Sequence, residues 1–400
     1  MSLMRRSLAA ILLLTLAAAA RAEDRVTVLD ADGRELKGPL QGWTKSAIVL
    51  KDPLPVEQIV SIDFGRTADP LKAGAAALTF ANGDTWLARP IEMADETLKV
   101  GWERYTPWPI QVVPLETLSS LILDLPAPGP ARRNLWRDLE TRSGGADLVV
   151  LSNGERTADQ LLSLDGAFVE IDRSGNPIKL DRRRVRAIGL DPDLSSFPAT
   201  TGPRLVFRLR DGSRVTAIAA EQVEGDAVRL RLPWQADVIV PLGEICRCDV
   251  FGPRVQPLAE RTPTSVVHTP FLSSKWPLVV NRNVWRGPLR IRNREFATGL
   301  GMHSQTVARF AVEPGDREFR AIVGLDDEAA PRGSVRFRVA VDGQDVWTSP
   351  ELTSQSPPLA VPPVPLTGAG ELTLIVDFGE QADVSDYANW CDAVILRGPR

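Results

Sequence analysis

The residues of this chain that could carry out chemistry offer few combinations suited to catalysis. His268 and His303 are the only histidines, so a serine–histidine–aspartate triad has almost no candidate base. The 51 acidic residues always allow two carboxylates to be chosen, but no pattern selects the pair that glycoside hydrolysis requires. No Gly-x-Ser-x-Gly, Walker-type or His-Glu-x-x-His motif is present. The sequence therefore predicts no catalytic residues, and a glycoside hydrolase with an unrecognised site is an alternative.

Aromatic and acidic side chains in the last third are better suited to binding. Rings present apolar faces, and carboxylates and imidazoles hydrogen-bond to polar groups of a ligand. We expect the acidic candidates and His303 in loops or at strand ends, where binding groups belong. Trp390 also suits a core position, His303 a structural hydrogen bond, and Asp326 a turn. The candidate binding residues are Trp285, Trp347, Asp326, Asp327, Asp386, Trp390, His303 and Asp392.

Metal and disulfide chemistry has little support. Asp326 and Asp327 could hold a structural calcium ion together with backbone carbonyl oxygens, and no other cofactor is expected. The odd number of cysteines argues against a full disulfide framework. Cys246 and Cys248 lie two residues apart on one predicted strand, where a direct bridge would be strained. Cys391 could link to one of them, or all three could pack as small apolar side chains.

Six segments near the C-terminus resemble one known family in their order and spacing. They are FLSSKW (271–276), FATGLGMHSQTVARFAV (296–312), FRAIVGLDDEA (319–329), GSVRFRVAVDGQDVW (333–347), LTGAGELTLIVDFG (366–379) and DYANWCDAVI (386–395). Together they resemble the NPCBM/NEW2 family of carbohydrate-binding modules, with FLSSKW as a first strand. The resemblance implies a galactose-binding-like jelly-roll β-sandwich, a glycan or polysaccharide partner, and occurrence in exported bacterial proteins.

The resemblance supplies the ligand class, and the sequence supplies residues that are compatible with it. Trp285, Trp347, Asp326 and Asp386 would contact the sugar, with Trp390 and His303 as supports. The closing motif departs from the family at two positions. Asn389 stands where Asp is usual, and Cys391 replaces a smaller residue. The first departure speaks against a metal or sugar contact through position 389.

A pattern of short strands recurs four times before this module. Each copy has an extended run, an Asp-Gly or Asn-Gly pair, further short strands and a closing strand rich in Ile or Val. Such pairs favour two-residue hairpin turns with positive φ at both residues. The copies could close as small SH3-like or Sm-like barrels or pair into larger sandwiches. The predicted fold class is all-β, with tandem barrel-like or sandwich repeats followed by the jelly roll, which leaves no room for a βα barrel.

The N-terminus predicts export. Arg5 and Arg6, the apolar run 8–20 and a small-x-small site ending at Ala22 are typical of a secretory signal peptide. We expect a periplasmic, cell-surface or secreted protein without membrane insertion after signal cleavage, since no later run is long and apolar enough to span a bilayer. The predicted division is a signal peptide (1–22), repeats 1 and 2 (23–124), a linker with a weak helix at 132–141 (125–145), repeats 3 and 4 (146–252), a linker (253–263) and the module (264–400).

Taken together, these features predict an exported, non-catalytic carbohydrate-binding protein. The net charge of -4 and the lack of a basic block beyond Arg182–Arg184 argue against a nucleic-acid partner. Besides the hydrolase, the alternative is a scaffold protein whose sandwich binds a protein partner.

Overall fold

The computed structural model describes residues 25–102, 110–224, 226–329, 331–380 and 382–398, which form mostly short antiparallel strands. This confirms the all-β class. The predicted signal peptide, 1–22, lies outside the described residues. Within the described part of the chain, no helix is long and apolar enough to cross a membrane.

The N-terminal region contains 23 strands and one α-helix among the described residues. They are β1 (Arg25–Asp30), β2 (Glu35–Pro39), β3 (Gly42–Trp43), β4 (Ala47–Val49), β5 (Pro53–Pro55), β6 (Ile59–Asp63), β7 (Ala77–Phe80), β8 (Thr85–Trp86), β9 (Arg89–Ala94), β10 (Thr97–Gly101), β11 (Gln111–Pro114), β12 (Leu118–Ile122), α1 (Pro130–Glu140), β13 (Asp147–Leu151), β14 (Arg156–Leu164), β15 (Phe168–Arg173), β16 (Asn176–Asp181), β17 (Val185–Gly189), β18 (Arg204–Leu209), β19 (Arg214–Ala217), β20 (Ala219–Val223), β21 (Ala227–Arg231), β22 (Asp237–Pro241) and β23 (Ile245–Phe251).

The strands of the C-terminal module follow. They are β24 (Val255–Pro257), β25 (Ser265–His268), β26 (Val279–Val280), β27 (Arg290–Ile291), β28 (Arg294–Glu295), β29 (Gly299–His303), β30 (Thr306–Ala311), β31 (Asp316–Leu325), β32 (Ser334–Val341), β33 (Gln344–Thr348), β34 (Leu352–Thr353), β35 (Leu359–Ala360), β36 (Val364–Pro365), β37 (Glu371–Phe378) and β38 (Tyr387–Arg397). Short 3-10 helices lie at Val56–Gln58, Leu115–Thr117, Arg182–Arg184, Leu242–Glu244 and Leu258–Glu260.

The same order of elements occurs four times in the N-terminal region, as β1–β6, β7–β12, β13–β17 and β18–β23. In each unit the first strand pairs with the second strand and with the last. A 3-10 helix directly precedes each last strand. The third unit has one strand fewer because β14 pairs with both β13 and β15 without a break.

The Asp-Gly and Asn-Gly pairs lie in the turn between the first two strands of each unit. In the first unit Gly33 has a φ of 84°, and its N–H donates to the carbonyl of Asp30 at 2.9 Å. Only the glycine of each pair has a left-handed backbone. The turns are therefore three-residue loops, not the two-residue turns with two positive φ values that the sequence predicted.

The four units join through their last strands instead of closing separately. β6 pairs with β23, and β12 pairs with β17. The first unit is thereby linked to the fourth and the second to the third, in a network of 17 strands. No separate barrel closes within the described residues, so the units combine and share one hydrophobic core.

The predicted weak helix at 132–141 is α1, which begins two residues earlier. Pro130 suits the first turn because its missing N–H would have no helical partner there. Leu135 and Leu139 are buried in a small apolar cluster with Ile122 and Val150 of the neighbouring strands. These contacts fix α1 on the N-terminal region.

The C-terminal module is a two-sheet sandwich. One sheet has the order β26–β29–β38–β31–β35, with β24 on β38 and β36 on β31. The other has the order β25–β30–β37–β32–β33, with β34 on β32. Both sheets contribute to one core, in which the Trp390 ring contacts Phe337 at a centroid distance of 5.2 Å.

The module packs directly against the N-terminal region. β24 lies within the stretch predicted to be a linker, 253–263, and pairs with β38 of the module. Val206 and Phe251 of the N-terminal region share an apolar cluster with Val394 and Leu396. The N-terminal region and the module are therefore joined by buried apolar contacts as well as by the chain.

Candidate functional site

The strand ends at one end of the sandwich bring several candidate residues together. β29 ends at His303, β38 begins at Tyr387, and these two residues are paired across the sheet. Asp386 immediately precedes β38. Asp326 immediately follows β31, and its N–H donates to the carbonyl of Tyr387 at 2.7 Å. The expectation that these side chains lie at strand ends holds for His303, Asp326 and Asp386.

Four aromatic side chains form a cluster at this end, and we call it the four-ring cluster: Trp276, Trp285, His303 and Tyr387. The Trp276 and His303 rings are stacked at 4.7 Å with an interplanar angle of 4°. Trp285 contacts Trp276 edge-on at 5.0 Å and Tyr387 edge-on at 5.5 Å. Trp276, Trp285 and Tyr387 are each partly exposed, whereas His303 is buried. The cluster thus combines one buried ring, that of His303, with three partly exposed rings.

His303 supplies a neutral imidazole at the base of the cluster. Its Nδ1 lies 2.9 Å from the carbonyl oxygen of Ser304, which assigns the proton to Nδ1. Nε2 has no hydrogen-bond partner among the described residues. Burial lowers the pKa of His303, so the ring is uncharged at neutral pH. An unpaired Nε2 can then accept a hydrogen bond from a ligand hydroxyl.

Asp326 organises the loop that carries Trp285. Its carboxylate accepts hydrogen bonds from the side-chain amides of Asn283 at 2.9 Å and Asn389 at 2.6 Å. The backbone N–H groups of Glu328 and Arg290 donate to it as well, at 3.0 and 3.2 Å. Burial raises the pKa of Asp326 to about 7, against these donors, which lower it. The carboxylate is a structural anchor beneath the cluster.

Asn283 connects this anchor to Trp285. Its side-chain oxygen accepts from the N–H groups of Trp285 at 3.0 Å and Gly287 at 2.9 Å, while its amide donates to Asp326. The buried Asn283 amide therefore holds the backbone of the 281–287 loop together with the backbone hydrogen bonds from the N–H of Asn283 to the carbonyl of Gly287 and from the N–H of Arg286 to the carbonyl of Asn283. The indole Nε1 of Trp285 is buried without a hydrogen-bond partner within the described structure. Packing contacts alone set the orientation of its ring.

The departure from the family at position 389 has a local reason. The Asn389 amide donates directly to the Asp326 carboxylate, and both residues are buried. An aspartate at this position would place two carboxylates within hydrogen-bond distance, where they cannot both be ionised. The amide and the carboxylate are matched partners in this chain.

Asp386 is a second buried carboxylate beside the cluster. It accepts from the hydroxyl of Ser304 and from the N–H of Ser334, the latter at 3.0 Å. Burial raises its pKa to about 7. The residue is completely buried, so it supports the loop around His303 from beneath.

The remaining candidates lie elsewhere in the module. Trp390 is completely buried in the core, and Trp347 packs on the core from the edge strand β33, with no ring contact to the cluster within the described structure. Asp392 lies in the middle of β38, not at a strand end or in a loop, and forms ion pairs with Arg208 at 3.7 Å and Arg247 at 3.3 Å. Asp327 is exposed in the turn after β31.

Sequence reasoning missed Trp276, Tyr387 and Asn283 as site residues. The segment FLSSKW lies in a loop after β25 and not in a first strand as predicted. Tyr387 could have been selected, because it stands directly before the alternating apolar run of β38 and next to the candidate Asp386. No sequence signal distinguishes Asn283 from other loop asparagines.

Two further features concern metal binding and the cysteines. No group of three or more His, Cys, Asp or Glu side chains in the described ranges could hold a metal ion. The three cysteines are buried free thiols, and Cys391 packs in an apolar cluster with Leu289 and Phe296. Structural calcium held by carbonyl oxygens stays a prediction.

The two packed antiparallel sheets around one core define a β-sandwich module. Residues 262–396 match the family model of the NPCBM/NEW2 domain. The C-terminal third of the chain is therefore an NPCBM/NEW2 domain, as the sequence motifs predicted.

Individual proteins are similar over parts of the chain. A protein of Renibacterium salmoninarum named "Putative endo-alpha-N-acetylgalactosaminidase" is 28% identical over 109 residues, which is 27% of this chain and 7% of that protein. This chain thus matches only a small fraction of that relative's length.

Two solved structures are further points of comparison. The CBM51 of Clostridium perfringens GH95, in complex with methyl-galactose, has a TM-score of 0.32 and 23% identity, covering 36% of this chain and 99% of that one. The tandem CBM51 modules of Sp3GH98 from Streptococcus pneumoniae SP3-BS71 have a TM-score of 0.32 and 11% identity, covering 93% and 88%.

Proposed function

We propose that the C-terminal module binds a glycan at the four-ring cluster. Sugar C–H faces would pack on the accessible rings of Trp276, Trp285 and Tyr387, and sugar hydroxyls would hydrogen-bond to Nε2 of His303 and the phenol of Tyr387. The observation that carries the proposal is the presence of these partly exposed rings beside an uncharged imidazole with an unpaired nitrogen. The NPCBM/NEW2 match supports the ligand class.

The charges around the cluster favour a neutral or weakly polar glycan. Asp326 and Asp386 are buried and already accept hydrogen bonds from protein donors. Their carboxylates are therefore not free to hold a cationic ligand. One sugar ring stacked on one indole contributes about 1–2 kcal/mol. We expect a dissociation constant of about 0.1–1 mM for a monosaccharide.

The proposal includes no catalytic step. A glycosidase needs two carboxyl groups that reach the scissile bond. The two carboxyl groups at this site support loops from beneath instead of facing the accessible rings. Incubation with glycans of the classes that bind, followed by product analysis, tests this part; released sugar would point to the hydrolase alternative.

The proposed location is outside the cytoplasm. The signal-peptide pattern at 1–22 supports it, as does a ligand class that is abundant on cell surfaces. Cell fractionation with and without the first 22 residues tests it. Retention of the unaltered protein in the cytoplasm would contradict it.

The binding experiment uses the full chain from residue 23 and a broad glycan panel, with and without calcium. Trp276→Ala should raise the dissociation constant about 5- to 30-fold, because it loses the stacking of the sugar on the indole. Tyr387→Phe should raise it about 2- to 10-fold, because it loses the hydrogen bond of the phenol. Trp347→Ala is the matched control, since it removes a partly exposed tryptophan outside the cluster. Near-UV circular dichroism checks the fold of each variant.

Two results would contradict the proposal. A folded wild-type chain that binds no glycan in the panel would remove the function. If Trp347→Ala abolished binding and Trp276→Ala did not, the glycan site would lie at the edge strand β33 and not at the four-ring cluster. If the protein is a scaffold instead, the folded chain should bind no glycan in the panel and should bind a protein partner.

A further inference from the structure

α1 has two faces with different partners. Leu135 and Leu139 lie on the face toward the N-terminal strands, where they are buried. Arg133, Trp136 and Glu140 are spaced by three and four residues, so they share another face of the helix. This second face points to the module, and each of its three side chains contacts the loop that carries Trp285 or the turn beside it.

The contacts of this second face are specific. The Arg133 guanidinium carbon lies 5.2 Å from the centroid of the Trp285 ring, and its Nη1 forms an ion pair with Glu328 at 2.9 Å. Glu140 pairs with Arg282 at 3.3 Å, at the other end of the same loop.

Trp136 packs on the backbone of this loop. A Cβ atom added to Gly287 would lie 2.4 Å from the Trp136 ring. Only a residue without a side chain allows this approach. The helix therefore touches the 281–287 loop at its start, at its end and on its aromatic ring.

We infer that α1 positions the Trp285 ring for glycan binding, so that the N-terminal region sets the affinity of the module. This inference rests on the proposed function of the four-ring cluster. Asn283 fixes the loop backbone, but the indole Nε1 has no partner within the described structure, so the ring direction depends on its packing neighbours. Of these, Arg133 is contributed by the N-terminal region. Arg133 and Trp136 are thus positioning residues that act through Trp285.

The charge of Arg133 is already balanced by Glu328, at 24% and 16% side-chain exposure. A cation held over an aromatic face by a second anchor restricts the tilt of the ring. Loss of Arg133 frees the ring to rotate, and part of its population leaves the binding orientation. Affinity should fall in proportion to that population.

The test compares variants of the full chain with methyl galactoside and N-acetylglucosamine as probes, together with any glycan that the wild type binds. Arg133→Ala should weaken binding about 3- to 10-fold. Arg133→Lys keeps a cation over the ring and should restore most of the affinity. Arg137→Ala is the matched control, because this arginine of the same helix is exposed and forms its ion pair with Asp138 of the helix itself.

A second pair of variants addresses the module side of the contact. Gly287→Ala should weaken binding to a similar degree because the added methyl group pushes the loop away from Trp136. Gly166→Ala is its control, since an added Cβ there meets nothing within 4 Å. Unchanged affinity in both Arg133→Ala and Gly287→Ala would overturn the inference while leaving the proposed function intact.

A spectroscopic measurement separates the inference from the proposed function. In chain labelled with 5-fluorotryptophan, the fluorine resonance of Trp285, assigned with Trp285→Phe, should shift or broaden in Arg133→Ala and stay unchanged in Arg137→Ala. An unshifted resonance would overturn the inference even if glycan binding is observed. A shifted resonance in a chain that binds no glycan would support the positioning of Trp285 and refute the proposed function of the cluster.

Discussion

Asn389→Asp tests the matched pair at the base of the site. The wild-type amide donates to the Asp326 carboxylate at 2.6 Å in a fully buried position. Two carboxylates at this distance cannot both ionise, so one must keep its proton. Holding an aspartate protonated at pH 7 costs about 4 kcal/mol, since one pKa unit is about 1.4 kcal/mol. We expect the module's unfolding midpoint to fall by about 10 °C at pH 7.

The destabilisation by Asn389→Asp should depend on pH in a defined direction. The added carboxyl group has a folded-state pKa above its unfolded value, so its cost is nearly absent below about pH 4 and grows as the pH rises. In its protonated form, the new carboxyl group at position 389 can donate to Asp326 much as the amide does. Scanning calorimetry from pH 4 to 8 should therefore show wild type and variant converging at low pH and separating at high pH.

The exchanged double variant is the control. Asp326→Asn with Asn389→Asp reverses the donor and the acceptor and gives up only the 3.2 Å bond from the N–H of Arg290. It should recover most of the lost stability at pH 7. A destabilisation of the single variant that is equal at pH 4 and pH 8, or a double variant no better than the single one, would refute the carboxylate-repulsion argument.

Two further substitutions have defined outcomes. Asp386→Asn should be close to neutral at pH 4 and stabilising at pH 8. An amide still accepts from the N–H of Ser334, and the raised carboxyl pKa of about 7 makes the wild-type carboxyl group increasingly costly to the folded state as the pH rises from about 4 to 7. Calorimetry that shows lower stability of the variant at pH 8 would contradict this. Arg261→Ala removes a buried bidentate partner of Asp316 and should lower the free energy of unfolding by about 3 kcal/mol. Arg309→Ala, which removes an exposed ion pair, should change it by less than about 1 kcal/mol. Chemical unfolding measures both.

Local patterns made the strands and turns predictable. The Asp-Gly and Asn-Gly pairs located all four first hairpins because glycine adopts the left-handed backbone of the turn without a steric cost. The pairing of the first unit with the fourth could not be predicted in the same way. That pairing depends on which edges of β6 and β23 remain free after each unit has formed. Because the closing strands of the four units have similar sequences, the sequence does not indicate which two of them pair.

The site was only partly predictable for a similar reason. His303, Asp326 and Asp386 could be selected because they stand next to strands with clear alternation. Trp276 reaches the cluster through an irregular loop whose course depends on packing. The role of α1 was hidden because Arg133 contacts Trp285 across about 150 positions of sequence, and a short helix in a presumed linker carries no signal of its partner.

The position of β38 determines when the module can form. The final strand, Tyr387–Arg397, lies between β29 and β31 and also pairs with β24, so it occupies the interior of its sheet. Until residues 387–397 leave the ribosome, β29 and β31 have no common neighbour and Trp390 is missing from the core. The sheet that contains β29 and β31 can therefore be completed only once β38 has been made, long after β29 has left the ribosome.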